Sequence, residues 1–189
     1  MALDGMPAYR ADCASWTIAM PDSPLIDLRP SVPSVPVAIH ENCWFAPHVV
    51  GVMAGQPLEF SNRSKTLEVP HGMTKRNKEF SFYIREGMTK QVVLKYPETF
   101  RLLCDVHPWE LAYCHVMSHP FFAVSDARGR AAIPGLPPGE YQLRFWHERL
   151  GTLTRPVRIE AGKTTKLDDV IFKPRSKRRR TKREPKNHN

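Results

Sequence analysis

Short runs of apolar and polar residues, alternating or clustered, fill the chain from Val37 to Met117. The seven runs are VAIHE, HVVGV, PLEFSN, EFSFYI, QVVLKY, FRLLCDV and LAYCHVM. Most are separated by Gly, Pro or Asn, and alternation of this kind buries one face of a strand and leaves the other in solvent. Seven such runs within about 80 residues predict an all-β sandwich or barrel.

A second β-rich stretch follows from Pro120. The segment PFFAVSDARGRAAIPGLPPGEYQLRFWHERLG predicts a meander of three strands, because Gly129 and Gly139 stand where its turns need positive φ. RPVRIEAG and TKLDDVIF then predict a closing hairpin. Eighteen prolines and ten glycines spread along the chain argue against long helices.

The two ends of the chain differ from its middle. Residues 1–35 hold five prolines and show no sustained period, which predicts an extended N-terminal arm or linker. Residues 173–189 hold nine Lys or Arg against the single acid Glu184, so this segment carries +8 of the chain's net charge of +9. Such a tail cannot form a core and is predicted to be disordered. The intervening residues divide into a first domain, 36–119, and a β-extension, 120–172.

Charge and hydropathy limit the function classes. The basic tail favours an anionic surface as partner, but it lacks interleaved aromatic residues, and no recognition fold is evident, so specific nucleic-acid binding is not predicted. No run approaches the 18 apolar residues of a membrane span, and the first residues lack the basic-then-apolar pattern of a secretion signal. Taken literally, this indicates a soluble protein that stays where it is made. No Ser-His-Asp order, nucleophile elbow or phosphate-binding glycine loop occurs, so an enzyme is not predicted.

Candidate chemistry lies at the end of the strand FRLLC. Cys104 and His107 form a C-x2-H segment, followed by Pro108 and Trp109. A thiolate and an imidazole on one short loop can bind the same ion. The spacing alone is equally compatible with two half-buried residues that bind nothing.

The segment CDVHPWE resembles the copper loop of amicyanin- and plastocyanin-type cupredoxins, in which Cys, His and Met at C-x2-H-x2-M spacing and an upstream His bind copper. ENCWFAPHVVGVMAGQPLEFSN, NKEFSF and the stretch after His119 are similar to plastocyanin-like proteins with a carboxypeptidase-regulatory-like or transthyretin-like extension. The resemblance covers roughly Val37 to Phe172. It implies a cupredoxin-like Greek-key β-sandwich continuing into a small β-sandwich extension. It also implies a copper protein of the periplasm or cell envelope that serves electron transfer or copper handling with a redox partner protein.

The expected ligand set is altered in this chain. Glu110 stands where the resemblance expects Met, and Glu68 and His71 stand at the two upstream His positions, so the candidate metal ligands are Cys104, His107, Glu110, Glu68 and His71. Carboxylates should favour Cu(II) over Cu(I), lower the reduction potential and admit Zn(II). His71 faces an objection, because an offset of three from Glu68 turns a strand side chain to the opposite face unless Pro70 introduces a bulge.

Two alternatives remain open at the level of sequence. The chain can be a non-redox β-sandwich binding module that has lost its metal and holds a partner through loops near Trp109 and Trp146. The resemblance also implies that Cys43, a position where relatives carry a cysteine, pairs in a disulfide with Cys13, whereas the four cysteines alone are compatible with one bridge or none.

Overall fold

The computed structural model of the protein describes residues 14–19, 34–40 and 43–173. Cys13 and most of the predicted basic tail lie outside these ranges. Within them the chain forms β-strands and no helix, so none of these residues belongs to a helix that could cross a membrane. The all-β prediction is confirmed.

The described strands fall into three sheets. In chain order they are β1 (Ala14–Ala19), β2 (Val35–His40), β3 (Trp44–Ala46), β4 (Val49–Met53), β5 (Pro57–Asn62), β6 (Pro70–Gly72), β7 (Phe80–Ser81), β8 (Thr89–Val93), β9 (Glu98–Cys104), β10 (Leu111–Met117), β11 (Phe122–Val124), β12 (Gly139–His147) and β13 (Gly151–Ile159). The β2 sheet has the order β3-β2-β5-β8, the β10 sheet β4-β10-β9-β6-β7, and the β12 sheet β11-β1-β12-β13.

The β2 and β10 sheets pack face to face as a sandwich. Alternate residues of β5 and β9 point between them, and Leu58, Phe60 and Leu102 are fully buried there, with Phe100 nearly so. Burial of each such side chain stabilises the fold by about 1.5–3 kcal/mol. The sequence run EFSFYI contributes less strand than predicted, because only Phe80–Ser81 pairs as β7.

The β12 sheet covers the outer face of the β10 sheet. Trp146 of β12 packs edge-on against Tyr113 and His115 of β10, with ring centroids 5.2 and 4.5 Å apart. The ring of Phe122 lies 2.4 Å from where a Cβ at Gly51 would stand, so this approach requires glycine in β4. The opposite face of β12 forms a second core, centred on Tyr141, Leu143 and Phe145; the residues of this second core lie in 121–172.

Strand β1 departs from the expected N-terminal arm. Residues 14–19 pair with β11 on one side and β12 on the other, with Trp16 opposite both Ala123 and Phe145. The run ASWTIA is short, a proline-rich stretch follows it, and its partners lie more than 100 residues later. Local pattern therefore could not reveal that this part of the segment completes a sheet and is not a linker.

Candidate metal centre

The pairing of β6 with β9 determines which candidate residues face the sandwich interior. Pro70 is opposite Cys104, and His71 is opposite Leu103. Because side chains alternate along a strand, Cys104 points inward while His71 points to the outer face. Glu68, two residues before Pro70, lies on the inward side and is fully buried.

A tight turn after β9 brings the next two candidates together. The backbone N–H of Glu110 donates to the carbonyl of His107 at 3.0 Å, so the side chains of these two residues emerge side by side. The ring of Trp109 lies 5.2 Å from that of His107 and remains half-exposed. Trp109 therefore covers one side of the histidine without sealing it from solvent.

Three of the predicted residues converge on one atom of a fourth, Nδ1 of His107. Glu68 Oε2 lies 2.8 Å from this nitrogen, Glu110 Oε1 3.0 Å and Cys104 Sγ 3.6 Å. The Cys104 thiol also donates to Glu68 Oε2 at 3.3 Å. Cys104, His107, Glu68 and Glu110 are thus brought together as donors of three chemical types around a single point.

Glu68 is held in place by two hydroxyl groups. Ser64 Oγ and Thr66 Oγ1 each donate to Oε1 at 2.9 Å, which leaves Oε2 directed at His107 and Cys104. Burial raises the pKa of Glu68, but the hydrogen bonds from His107, Ser64, Cys104 and Thr66 outweigh it and hold the pKa below its ordinary value. Glu68 therefore remains an anion at neutral pH.

Replacing Thr66 by valine should loosen this carboxylate with little change in side-chain shape. Loss of one hydroxyl donor should raise the pKa of Glu68, as followed by carbon-detected NMR, and reduce the affinity of the site for a divalent ion by about 10-fold, as is common when a residue that orients a ligand is lost. Thr154→Val, on the exposed face of β13, is the matched control. An unchanged pKa and affinity in Thr66→Val would contradict the positioning role.

Glu110 is the least satisfied group of the site. Its side chain is fully buried, and among the described residues no group meets hydrogen-bond geometry with either carboxylate oxygen. The His107 nitrogen meets that geometry with Glu68 instead, although Glu110 Oε1 is only 0.2 Å farther away. Burial, the negative charge of Glu68 and the close approach of the two carboxyl groups, at which a protonated Glu110 is favoured, raise the pKa of Glu110 to about 8. A second negative charge is therefore unfavourable here without a cation.

Cys104 is a buried thiol at the inner end of the site. Burial raises its pKa to about 11, although the backbone N–H groups of Val69 and Val106 oppose this. The Val69 N–H donates to Cys104 Sγ at 3.5 Å. Without a cation the residue is a neutral thiol at pH 7, and a bound ion would displace its proton, as thiolate ligation requires.

Cys43 joins the site, although the resemblance to cupredoxins implies only a disulfide for it. It precedes β3 with a φ of 55° and carries a free thiol, while its proposed partner Cys13 lies outside the described residues. Its Sγ lies 3.9 Å from His107 Nε2 and 3.6 Å from Thr66 Oγ1. No spacing rule links position 43 to position 107, since the contact depends on how the turn before β3 packs against other loops.

His71 lies apart from this centre. Its Nδ1 lies 2.7 Å from Asp105 Oδ1 and its Nε2 lies 2.6 Å from Glu79 Oε1, so both ring nitrogens are engaged by carboxylates. These hydrogen bonds raise its pKa, Asp105 most strongly. The register of β6 and β9 separates His71 from Cys104, in keeping with the offset of three residues from Glu68.

The donor set fits a divalent transition-metal ion. One donor atom from each of Cys43, Glu68, His107 and Glu110 lies within 4.8 Å of the other three, and Cys104 adjoins the group. Sulfur, imidazole and carboxylate donors together suit Zn(II) and Cu(II) better than Mg(II) or Ca(II), which prefer oxygen alone. The buried, unsatisfied carboxylate of Glu110 is the observation that a bound cation would explain.

Comparisons with known proteins give likeness at the level of structure only. No family model matches the chain, and no curated protein matches it. A purple cupredoxin from Nitrosopumilus maritimus is similar with a TM-score of 0.40 and 14% identity, over 44% of this chain and 99% of that protein. A reduced amicyanin variant is similar with a TM-score of 0.41 and 16% identity, over 54% of this chain and 98% of the amicyanin. A copper-containing nitrite reductase from Thermus scotoductus SA-01 is similar with a TM-score of 0.41 and 15% identity, over 53% of this chain and 25% of the reductase.

Proposed function

We propose that this protein binds one divalent transition-metal ion, copper in its working form, at Cys104, His107, Glu68 and Glu110, and that it serves electron transfer or copper handling in the manner of a cupredoxin. The observation that carries the proposal is the second carboxylate. Glu110 is buried without a hydrogen-bond donor beside Glu68, and both approach the same nitrogen of His107.

The energetic argument starts from the cost of this arrangement. A buried carboxyl group without a hydrogen bond destabilises the fold by several kcal/mol when it is ionised, unless a cation compensates it. Carboxyl groups with strongly perturbed pKa values cluster at functional sites, so such a group indicates a functional role. A divalent ion would turn both carboxylates, the imidazole and the thiolate into mutually attractive partners.

The roles of the individual side chains follow from their surroundings. Cys104 would supply the thiolate from the buried side, and His107 the imidazole. Glu68, fixed by Ser64 and Thr66, would supply an oxygen donor that is already ionised. Glu110 would release its proton when the ion binds. A bound copper ion would supply one-electron redox chemistry, and two hard oxygen donors would bias it toward Cu(II).

The surroundings of the site also fit an exchange of electrons or metal with a partner. Trp109 is half-exposed beside His107, so the imidazole lies close to solvent, whereas Cys104 is buried. A redox partner would therefore approach from the side of Trp109. The resemblance of the copper loop suggests the periplasm or cell envelope as the location, and an anionic surface would attract the basic tail.

The alternative is a binding module without metal. Under this alternative, a partner would bind at loops near Trp109 and Trp146. However, Trp146 lies within β12 and packs against Tyr113 and His115. That surface is reduced to the neighbourhood of Trp109. No comparable observation in the described part of the chain favours this alternative over a metal site.

Thermal unfolding with added metal tests the proposal against this alternative. A ligand that binds only the folded state stabilises it by about 2.7 kcal/mol at 100 times its dissociation constant. We expect Cu(II) and Zn(II) to raise the melting temperature of chelator-treated full-length protein and Mg(II) to leave it unchanged. An unchanged melting temperature with both transition metals would reject the proposed function.

A further inference from the structure

We propose that Cys43 is a second thiolate ligand of the same ion and binds it from the solvent side of the site. The inference rests on the proposed function, because it presupposes that His107 and the two glutamates bind a divalent ion. Cys43 lies 61 residues before Cys104 and outside the C-x2-H pattern. The resemblance to cupredoxins assigns it only to a disulfide.

The first support is distance. Cys43, Glu68, His107 and Glu110 each offer one donor atom, and these four atoms all lie within 4.8 Å of one another. Ligand bonds of about 2.0–2.3 Å place the donors of a tetrahedral ion about 3.5 Å apart, so adjustments of roughly 1 Å would bring this set around one centre. The thiol of Cys43 completes a four-donor set on the side that Cys104 does not occupy.

The second support is independent of the cysteine. The Glu110 side chain is fully buried and, among the described residues, no group meets hydrogen-bond geometry with its two oxygens. One of these oxygens belongs to the same four-donor group as Cys43 Sγ. A buried carboxylate without a donor indicates that a cation belongs between the groups that face it, and Cys43 is one of them.

The two cysteines lie nearest different nitrogens of the His107 ring, and because one ion binds only one of these nitrogens, Cys43 shares the ion through the shift of roughly 1 Å that closes the four-donor set. Cys104 Sγ lies 3.6 Å from Nδ1 and is buried, whereas Cys43 Sγ lies 3.9 Å from Nε2 and is partly exposed. Cys43 is also held in the left-handed region with a φ of 55°, a conformation that a non-glycine residue adopts only when its surroundings enforce it. An ion arriving from solvent would meet Cys43 before Cys104, so Cys43 is the ligand suited to capture it.

Cobalt(II) alone is a suitable probe, because sulfur-to-cobalt charge-transfer absorption reports thiolate ligands directly. Full-length wild-type protein and Cys43→Ala, Cys104→Ala and Cys114→Ala variants are titrated anaerobically, with the melting temperature of each recorded first. We expect Cys43→Ala to lower the absorption per bound cobalt and to weaken binding about 10-fold. Cys114 is buried and belongs to no metal-ligating group within the described ranges, so Cys114→Ala should match wild type. Wild-type absorption and affinity in Cys43→Ala would overturn the inference.

Alkylation provides a second readout that does not depend on a variant. Iodoacetamide should modify Cys43 in the metal-free protein, and cobalt should slow that reaction at least 10-fold, as measured by peptide mass spectrometry. Equal rates with and without cobalt, or a Cys13–Cys43 disulfide in the non-reduced protein, would overturn the inference while the proposed function stands. Failure of wild-type protein to bind cobalt, zinc or copper at all would instead reject the proposed function.

Discussion

Replacing Glu110 by glutamine is expected to make the metal-free protein more stable at pH 8 and much weaker at binding a divalent ion. Burial beside Glu68 raises the pKa of Glu110 from the ordinary 4.5 to about 8. Between these pH values the folded state keeps a proton that the unfolded state releases, so stability falls as the pH rises from about 4.5 to 8. Each pH unit of that interval corresponds to about 1.4 kcal/mol, and the loss at pH 8 therefore amounts to a few kcal/mol.

Glutamine does not titrate, so Glu110→Gln should remove the decrease in the free energy of unfolding between pH 4.5 and 8. Denaturant unfolding in the presence of a chelator at pH 5, 6, 7 and 8 measures the effect, and the advantage of Glu110→Gln over wild type should be absent near pH 5 and grow toward pH 8. Metal affinity should fall by more than about 10-fold, because a neutral amide is a poor ligand compared with a carboxylate. Glu140→Gln, at an exposed position of β12, should change neither property. A parallel pH dependence in wild type and Glu110→Gln would contradict the assignment of Glu110 as the uncompensated charge.

Replacing Cys104 by serine is expected to remove most of the visible sulfur-to-copper absorption of the copper-loaded protein and to leave only the contribution of Cys43. Cys104 is the buried thiol beside His107 Nδ1 and Glu68 Oε2, and serine keeps nearly the same volume while removing sulfur. Copper affinity should fall by more than about 100-fold, since even residues that only orient a ligand contribute 10- to 100-fold. The measurement is an absorption spectrum during titration with Cu(II).

Cys114→Ser is the matched control for this change. Cys114 is also buried in the β10 sheet, where burial raises its pKa, but it belongs to no metal-ligating group among the described residues. Its variant should keep the absorption band if it folds, which far-ultraviolet circular dichroism verifies. A band that survives in Cys104→Ser at wild-type intensity would show that Cys104 is not the principal thiolate.

The predictable part of the site is the part that is local in sequence. Cys104, His107 and Glu110 lie in one strand end and one turn and are therefore close in the fold, and the resemblance to a cupredoxin copper loop is what indicated Glu110. Glu68 was assigned through resemblance, and its place on the inward face follows from the register that puts Pro70 opposite Cys104. The same register carries His71 to the outer face, where Asp105 and Glu79 engage it.

The unpredictable part depends on contacts between distant segments. Cys43 reaches His107 only because the turn before β3 packs against the loop that carries Thr66. Seven of the nine described sandwich strands lie in runs that alternate or are largely apolar and could be predicted, whereas β3 and β6, of three residues each, lie outside those runs. Strand β1 could not be predicted, since six residues before a proline-rich stretch give too short a pattern and their hydrogen-bond partners lie in β11 and β12.

Metal content measured by native mass spectrometry tests the central claim most directly. Full-length protein, freed of metal with a chelator and then exposed to equimolar Cu(II), should retain one copper ion per chain after buffer exchange, and Glu110→Gln should retain less. A wild-type chain that emerges without copper, and without zinc in a parallel sample, would contradict the account.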